Sequence, residues 1–451
     1  MEIYTSKKEK IVLADSPFAS GGEGEIRSIV SGPETYRGMC AKIYFEPKRT
    51  AQQAGKIKYM KEHQPAQVRG KAFIIGWPME YVTDQKGAFL GFLMPTAFPD
   101  SKQLVNLVAP KLNRKLSDEW FVRYDRANGK YALISRLKLI CNISILIHLL
   151  HATGRYVLRD FKPENILVTY DGKVTIVDMD SVQISENGRL LYPGTAATAN
   201  YIPPEFYQQG VGRKPEDILN TSWDSFSLGI VFYQLLFGLH PYVVTPYVQS
   251  QSDTNEIYQN ISHDLFPFGK NAGQIKSYPE LHKKFAVLPG EVRQLFLRTF
   301  SLNYANRPEA VEWGTTIRKI VMEAEKTPIP RPQPKPQPKP QPKPQPKPQP
   351  EPQPEPLHNH QPHSNMIRCP ECGQMTDSLK RFTLPHIWLF LGCFVSYQNI
   401  RYSCCPHCMR KHIFVKGFTY NILLANALWA LLILPWSIIL LVKSYKRGHT
   451  L

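Results

Sequence analysis

The chain has 451 residues, with 55 Lys and Arg against 37 Asp and Glu, and a formal charge of +18. That length allows about three domains and a sizeable core, which excludes a small peptide-like module. The charge narrows the partners to anionic ones: nucleic acid, acidic substrates or an anionic membrane surface. The N-terminus, MEIYTSKKEKIVL, has no apolar targeting core and is not expected to be a signal peptide. Phe18 to Ile26 then reads FASGGEGEI. Gly21, Gly22 and Gly24 let the backbone fold closely over an anionic ligand and aim N–H groups at it, although such clusters also make plain hairpins. Ala41-Lys42-Ile43 follows, and a helix is predicted over Ala51 to Glu62. Lys71 to Thr96 reads as two β-strands joined by a polar turn at Asp84 to Gly87, leading into a hinge at Pro95. Ala132 to Leu150 is apolar at helical spacing, and His151 is expected to be a structural histidine at its end.

Residues 157–181, VLRDFKPENILVTYDGKVTIVDMDS, carry the most chemistry. Asp160, Lys162 and Asn165 stand in the order D-x-K-x-x-N, followed by an apolar β-like run, a turn at Asp171-Gly172 and a second run ending at Asp178. Two strands joined by a turn bring both ends together, so Asp160, Asn165 and Asp178 are expected to converge. Three oxygen-bearing side chains and one ammonium at such a point suit a magnesium-bound phosphate being transferred.

Several of these signatures, in this order, resemble those of protein kinases. The resemblance implies that Asp160 orients the substrate hydroxyl, that Lys162 steadies the transferred phosphoryl group as in Ser/Thr kinases, and that Asn165 and Asp178 hold magnesium. It makes Lys42 the residue for the α- and β-phosphates, and Gly21 and Gly24 the last two glycines of the loop over ATP, with Ala19 in place of the first. Tyr201 to Glu205, YIPPE, is similar to the end of an activation segment. Thr198 then reaches the catalytic aspartate and lysine, Asp224 braces the catalytic-loop backbone, and Arg307 pairs with Glu205. Arg159 remains of H-R-D, with Leu158 in place of histidine. Arg159 is expected to be able to pair with a phosphate on Ser181, Ser185 or Thr195. Met179 and Asp180 replace the Phe and Gly of D-F-G, and Asp180 accepts positive φ less readily than glycine. The glutamate that family kinases pair with the lysine is missing where it is sought, at Gln52, Gln53 and Ala54; Glu46 and Glu62 stand near the helix ends. The phrases W-P-M-E and G-F-L-M-P resemble a bacterial branch with D-x-D in place of D-F-G.

Pro328 to Pro356 repeats P-K-P-Q and then P-E-P-Q. Alternate prolines remove donors and fix φ, so an extended spacer is expected. Cys369 and Cys372, then Cys405 and Cys408, form two C-x-x-C knuckles, a zinc-ribbon pattern in which four thiolates grip one Zn2+. Cys404 is an alternative to Cys405; Cys40, Cys141 and Cys393 read as core residues. The apolar stretch His386 to Tyr397 is too short to span a bilayer, and is expected at the membrane interface or packed into the ribbon. Ile422 to Val442 holds 21 residues without a charge, long enough to cross the hydrocarbon core as one span or a re-entrant hairpin kinked at Pro435. Knuckles followed by such a tail resemble small bacterial membrane-associated zinc-ribbon modules.

The expected fold is therefore α+β, a bilobal kinase-like domain over 1–325, a Pro/Lys/Gln-rich linker over 326–363, a zinc ribbon over 364–418, a transmembrane segment over 419–443 and a basic tail over 444–451. The expected function is ATP- and Mg2+-dependent phosphorylation of a protein hydroxyl by a membrane-tethered Ser/Thr kinase, its catalytic domain on the cytoplasmic side where ATP is. The rival is a membrane-anchored pseudokinase scaffold, favoured by the missing glutamate. Nucleic acid is not the expected partner, because the material around the knuckles is apolar. The protein substrate, activating signal and oligomeric state are not legible.

Overall fold

The computed structural model describes residues 1–194, 196–247, 256–326, 367–372, 374–390, 394–413, 438–439 and 441–442. It divides into two units, residues 1–337 and 338–451.

The first unit opens with β1 (Glu2–Thr5), β2 (Lys10–Leu13), β3 (Ala19–Ser20), β4 (Gly24–Ser31) and β5 (Met39–Tyr44). After α1 (Ala51–Glu62) and β6 (Phe73–Ile75) come β7 (Glu80–Thr83) and β8 (Phe89–Pro95). One antiparallel sheet runs β2-β1-β7-β8-β5-β4-β3, and β2 also pairs with β4, which closes the sheet on itself. Alternating side chains of these strands fill the interior: Ile3, Ile11, Leu13, Ala41, Ile43, Val82 and Leu93 form one buried cluster. β5 and β8 lie so close that a Cβ on Gly91 would fall 1.9 Å from the Lys42 carbonyl oxygen. Thr50 caps α1 by accepting from the Gln53 N–H at 3.1 Å, and the helix has the predicted bounds.

Lys71 to Thr96 holds three strands rather than the expected two. Gly76, Trp77 and Pro78 interrupt the run: Pro78 has no N–H for a ladder, and the buried Trp77 indole donates to the Met60 carbonyl at 2.9 Å. β6 therefore leaves the first sheet and pairs in parallel with β12 (Val174–Ile176).

The rest of the unit is mainly helical. It comprises β9 (Lys102–Gln103), α2 (Val105–Val108), α3 (Asp118–Tyr124), α4 (Gly129–His151), β10 (Tyr156–Val157) and β11 (Ile166–Val168). Beyond β12 come β13 (Gln183–Glu186), β14 (Arg189–Tyr192), α5 (Pro204–Gln209), α6 (Ser222–Phe237), α7 (Ile257–Ser262), α8 (Gly290–Thr299) and α9 (Ala310–Glu325). β11 and β12 form the expected hairpin, with Gly172 at φ 95° in its turn. It sits in a sheet of order β6-β12-β11-β9, beside a second sheet β10-β13-β14. Leu139, Ile140, Ile143, Leu146, Ile147 and Leu150 of α4 are buried with most of α6 in the main core. Among the described residues, one segment, Arg126–His151, is long and apolar enough to cross a membrane, and its place in this core accounts for that composition.

In the second unit, Ile367–Arg368 pairs with Met375–Thr376, and Lys380–Phe390 pairs with Phe394–Cys404 as a long antiparallel hairpin before a helix over Pro406–His412. The apolar stretch His386 to Tyr397 falls on this hairpin, apart from residues 391–393 outside the described set. The Pro-rich repeat and nearly all of Ile422 to Val442 also lie outside the described residues.

Candidate active site

β10 delivers the chain to Leu158, Arg159 and Asp160 at the mouth of the β11–β12 hairpin. Arg159 sits at φ 65°, a costly conformation for a non-glycine residue, and α6 holds it there. Asp224 accepts from the Leu158 N–H at 2.8 Å and the Arg159 N–H at 3.0 Å, while Trp223 donates to the Arg159 carbonyl at 3.2 Å. His151, at the end of α4, lies 2.9 Å from the same aspartate, as a structural histidine would. The buried Asp160 carboxylate accepts from the Thr198 hydroxyl at 2.6 Å and from Lys162 Nζ at 2.7 Å, and Lys162 also donates to Thr198 at 2.9 Å. Asn165 donates its amide to the Asp160 carbonyl at 3.0 Å, which leaves its Oδ1 as the free end.

Lys42, on β5, meets this region from the other side. Its ammonium is 3.2 Å from Asp178 Oδ1, 2.7 and 2.8 Å from the two oxygens of Asp180, and 4.0 Å from Glu23 of the glycine-rich turn. Gly21 and Gly24 close that turn by a 3.0 Å backbone hydrogen bond, and Gly22 lies open between them. The sequence reading missed Asp180 as a partner. Tyr44 lies two residues beyond Lys42 and so on the same face of β5; its hydroxyl donates to Asp180 at 2.6 Å and accepts from Gln53 of α1 at 2.7 Å. Burial alone would lower the Lys42 pKa, but Asp180 and Asp178 outweigh it and hold it above the lysine range. Burial would raise Asp180, and Lys42 and Tyr44 hold it below its ordinary value. Lys56, on the inner face of α1, is also buried, and its Nζ has no hydrogen-bond partner. Burial lowers its pKa to about 8 against the pull of Asp180 and Glu23.

Two expectations change here. The positive φ falls on Asp178, at 62°, whereas Asp180 sits in a 3-10 turn, Met179–Ser181, that needs none. The Arg159 guanidinium donates to the carbonyls of Gly194 at 3.2 Å and Gly212 at 3.0 Å, so backbone occupies the place expected for a phosphate. Ser181 is buried with its hydroxyl on the Asp178 carbonyl at 2.9 Å, Ser185 is half-buried on β13, and Thr195 lies outside the described residues. Glu205 and Arg307 form a buried bidentate pair, both contacts at 2.7 Å.

In the second unit the Sγ atoms of Cys369, Cys372, Cys405 and Cys408 all lie within 4.8 Å of one another. Cys404 is buried beside them but outside the four. Burial would raise the Cys369 thiol, yet backbone N–H groups of Cys372 and Cys405 help hold it below its ordinary value, whereas burial pushes the neighbouring Cys405 and Cys408 thiols up. Cys40 is buried in the core and Cys141 half-buried against it, whereas Cys393 is outside the described residues.

Residues 105–314 match the protein kinase domain family. The chain is 24% identical over 334 residues to protein kinase YegI of Escherichia coli (strain K12), covering 72% of this chain and 47% of that protein. A similar match joins it to YegI of Escherichia coli O157:H7. Serine/threonine-protein kinase MRCK gamma of Mus musculus is 33% identical over 133 residues, 28% of this chain and 8% of that protein. The chain thus spans about half the length of the Escherichia coli relatives it matches. The glycine turn and Lys42 precede the residues that match the protein kinase domain family and meet them through Asp178 and Asp180, so the matched stretch and the N-terminal sheet share one site.

Proposed function

We propose that the protein is an ATP-dependent Ser/Thr protein kinase tethered to a membrane. The observation that carries the reading is the meeting of Lys42 with Asp178 at 3.2 Å, beside a catalytic loop in which Asp160, Lys162 and Thr198 are mutually hydrogen-bonded. Gly21, Gly22 and Gly24 cover the phosphates and Lys42 neutralises them. Asn165 Oδ1 and the half-exposed Asp178 are hard oxygen donors, and neither Asn165 Oδ1 nor Asp178 Oδ2 has a protein partner among the described residues. They fit Mg2+, which when bound offsets charge on the β- and γ-phosphates. Asp160 orients a Ser or Thr hydroxyl and takes its proton as that oxygen bonds to the γ-phosphorus. The bond from the γ-phosphorus to the bridging oxygen breaks, and ADP leaves. Lys162, released from Asp160 and Thr198, follows the transferred group.

The pseudokinase scaffold rested on a missing carboxylate for Lys42, and Asp180 supplies one. The four thiols suit Zn2+ as a structural ion, and the charge-free run from Ile422 suits a membrane anchor. To test the catalytic reading, full-length protein is given labelled ATP, Mg2+ and a generic protein acceptor. Incorporation is expected, with Asp160→Asn and Asp178→Asn each lowering it at least about 1000-fold. Nucleotide binding without incorporation by the unaltered protein would sink the reading.

A further inference from the structure

Three carboxylates, those of Asp178, Asp180 and Glu23, gather around Lys42. Asp178 is half-exposed and keeps an oxygen free, as a metal ligand should. Asp180 differs in both respects. Its side chain is 1% exposed, and both oxygens are engaged, by Lys42 on each and by Tyr44 on one. It is committed to holding Lys42.

The helix beside it makes the complementary departure. The inner face of α1 presents Gln53, Lys56, Ile57 and Met60, at the three- and four-residue spacing of one helix side. That face has no carboxylate. Glu46 before the helix and Glu62 at its end are both exposed. Lys56 stands one turn from Gln53, which reaches Asp180 through Tyr44. Its ammonium is close enough to Asp180, Glu23 and Lys42 to interact with all three, yet bonds to none. A buried lysine without a hydrogen bond is rare and costly, so its retention calls for a charge that requires it.

We propose that Asp180 and Lys56 are an exchanged pair: Asp180 is the positioning residue that aims Lys42 at the nucleotide phosphates, and Lys56 is the cation with which α1 balances the carboxylates gathered there. This rests on the kinase reading above. When Mg-ATP engages Asp178, Asp180 remains as the counter-charge that keeps Lys42 extended.

If the two charges are exchanged, the carboxylate can be moved. Full-length protein is compared with Asp180→Ala, Lys56→Glu and the double variant, by direct titration of Mg-ATP, by kcat and KM for ATP, and by thermal unfolding. Asp180→Ala leaves Lys42 unaimed and is expected to lower kcat/KM on the order of 100-fold. Lys56→Glu alone adds a carboxylate and removes a cation, and is also expected to lower it. The double variant restores one carboxylate opposite Lys42 and is expected to exceed both single variants by about tenfold in nucleotide affinity and in kcat/KM. A purely structural role predicts the reverse order, with the double variant the poorest, and that order overturns the proposal. Where a single variant does not unfold cooperatively, Asp180→Asn and Lys56→Gln replace it; unchanged affinity and turnover in Asp180→Asn overturns the proposal equally. Absence of turnover in the unaltered protein counts against the kinase reading alone, because the nucleotide titrations still rank the four proteins.

Discussion

At the scale of single residues, Lys56 gives the clearest physical test. Its pKa falls from 10.5 to about 8, so between those values the unfolded chain holds a proton that the folded protein has released. Stability therefore rises with pH across that window. Lys56→Met removes this slope and is expected to stabilise the protein at pH 7 by about 3 kcal/mol, measured as the difference between denaturant curves at pH 7 and pH 10. A variant with the slope unchanged would refute the assignment. Lys42 works in the opposite sense and Asp180 in the same sense at lower pH. The raised Lys42 contributes stability below its ordinary 10.5 and loses it above; the lowered Asp180 contributes above its ordinary 3.8 and loses it as pH falls. Subtracting the variant's curve from the parent's cancels their shared share. That Asp160, Lys162 and Asn165 would lie together was legible in the sequence, because they stand within one short stretch leading into a hairpin. The role of Asp180 was not, although D-M-D was in view. Which aspartate turns inward depends on the left-handed φ at Asp178 and the tight turn after it, and neither shows in composition.

At the scale of elements, α1 was legible to the residue because Thr50 caps it and a polar run holding Pro47 precedes it. β6 was not, since a run of three apolar residues has no period of its own and its partner β12 lies about a hundred residues on. The glycine-rich turn separates two kinds of glycine. A Cβ on Gly24 would stand 2.4 Å from the Ile43 carbonyl oxygen, a backbone atom fixed by the sheet, whereas Gly22 has nothing within 4 Å. Gly24→Ala is expected to cost about 1–3 kcal/mol and to raise KM for ATP, because β4 and β5 must part where Lys42 is carried. Gly22→Ala is expected to stay within about 0.5 kcal/mol of the parent. Equal effects of the two on thermal unfolding would show that the strand approach is not what requires Gly24.

At the scale of the molecule, the boundary between the two units falls within the proline repeat of the sequence. The knuckle spacing made the thiol cluster legible, because two C-x-x-C pairs need only one ion to meet. The length of the hairpin between them was not legible, since strand pairing over eleven positions depends on partners rather than on either run alone. Metal and membrane should separate cleanly here. Cys372→Ser is expected to lose its zinc, by metal analysis, yet to sediment with membranes after alkaline extraction. A chain stopped at Gly417 is expected to keep zinc and remain in the supernatant. Retention of the shortened chain in the pellet would place the anchor elsewhere. A last consequence follows from the distance between the site's halves along the chain. Lys42 and Asp180 are 138 residues apart. At roughly 5–20 residues per second, a ribosome that has released the lysine needs on the order of ten seconds to make its counterpart. Throughout that interval the nascent N-terminal sheet carries an ammonium with no answering charge from later sequence, and the cluster of Lys42 with Asp178 and Asp180 can form only after translation has passed the second aspartate.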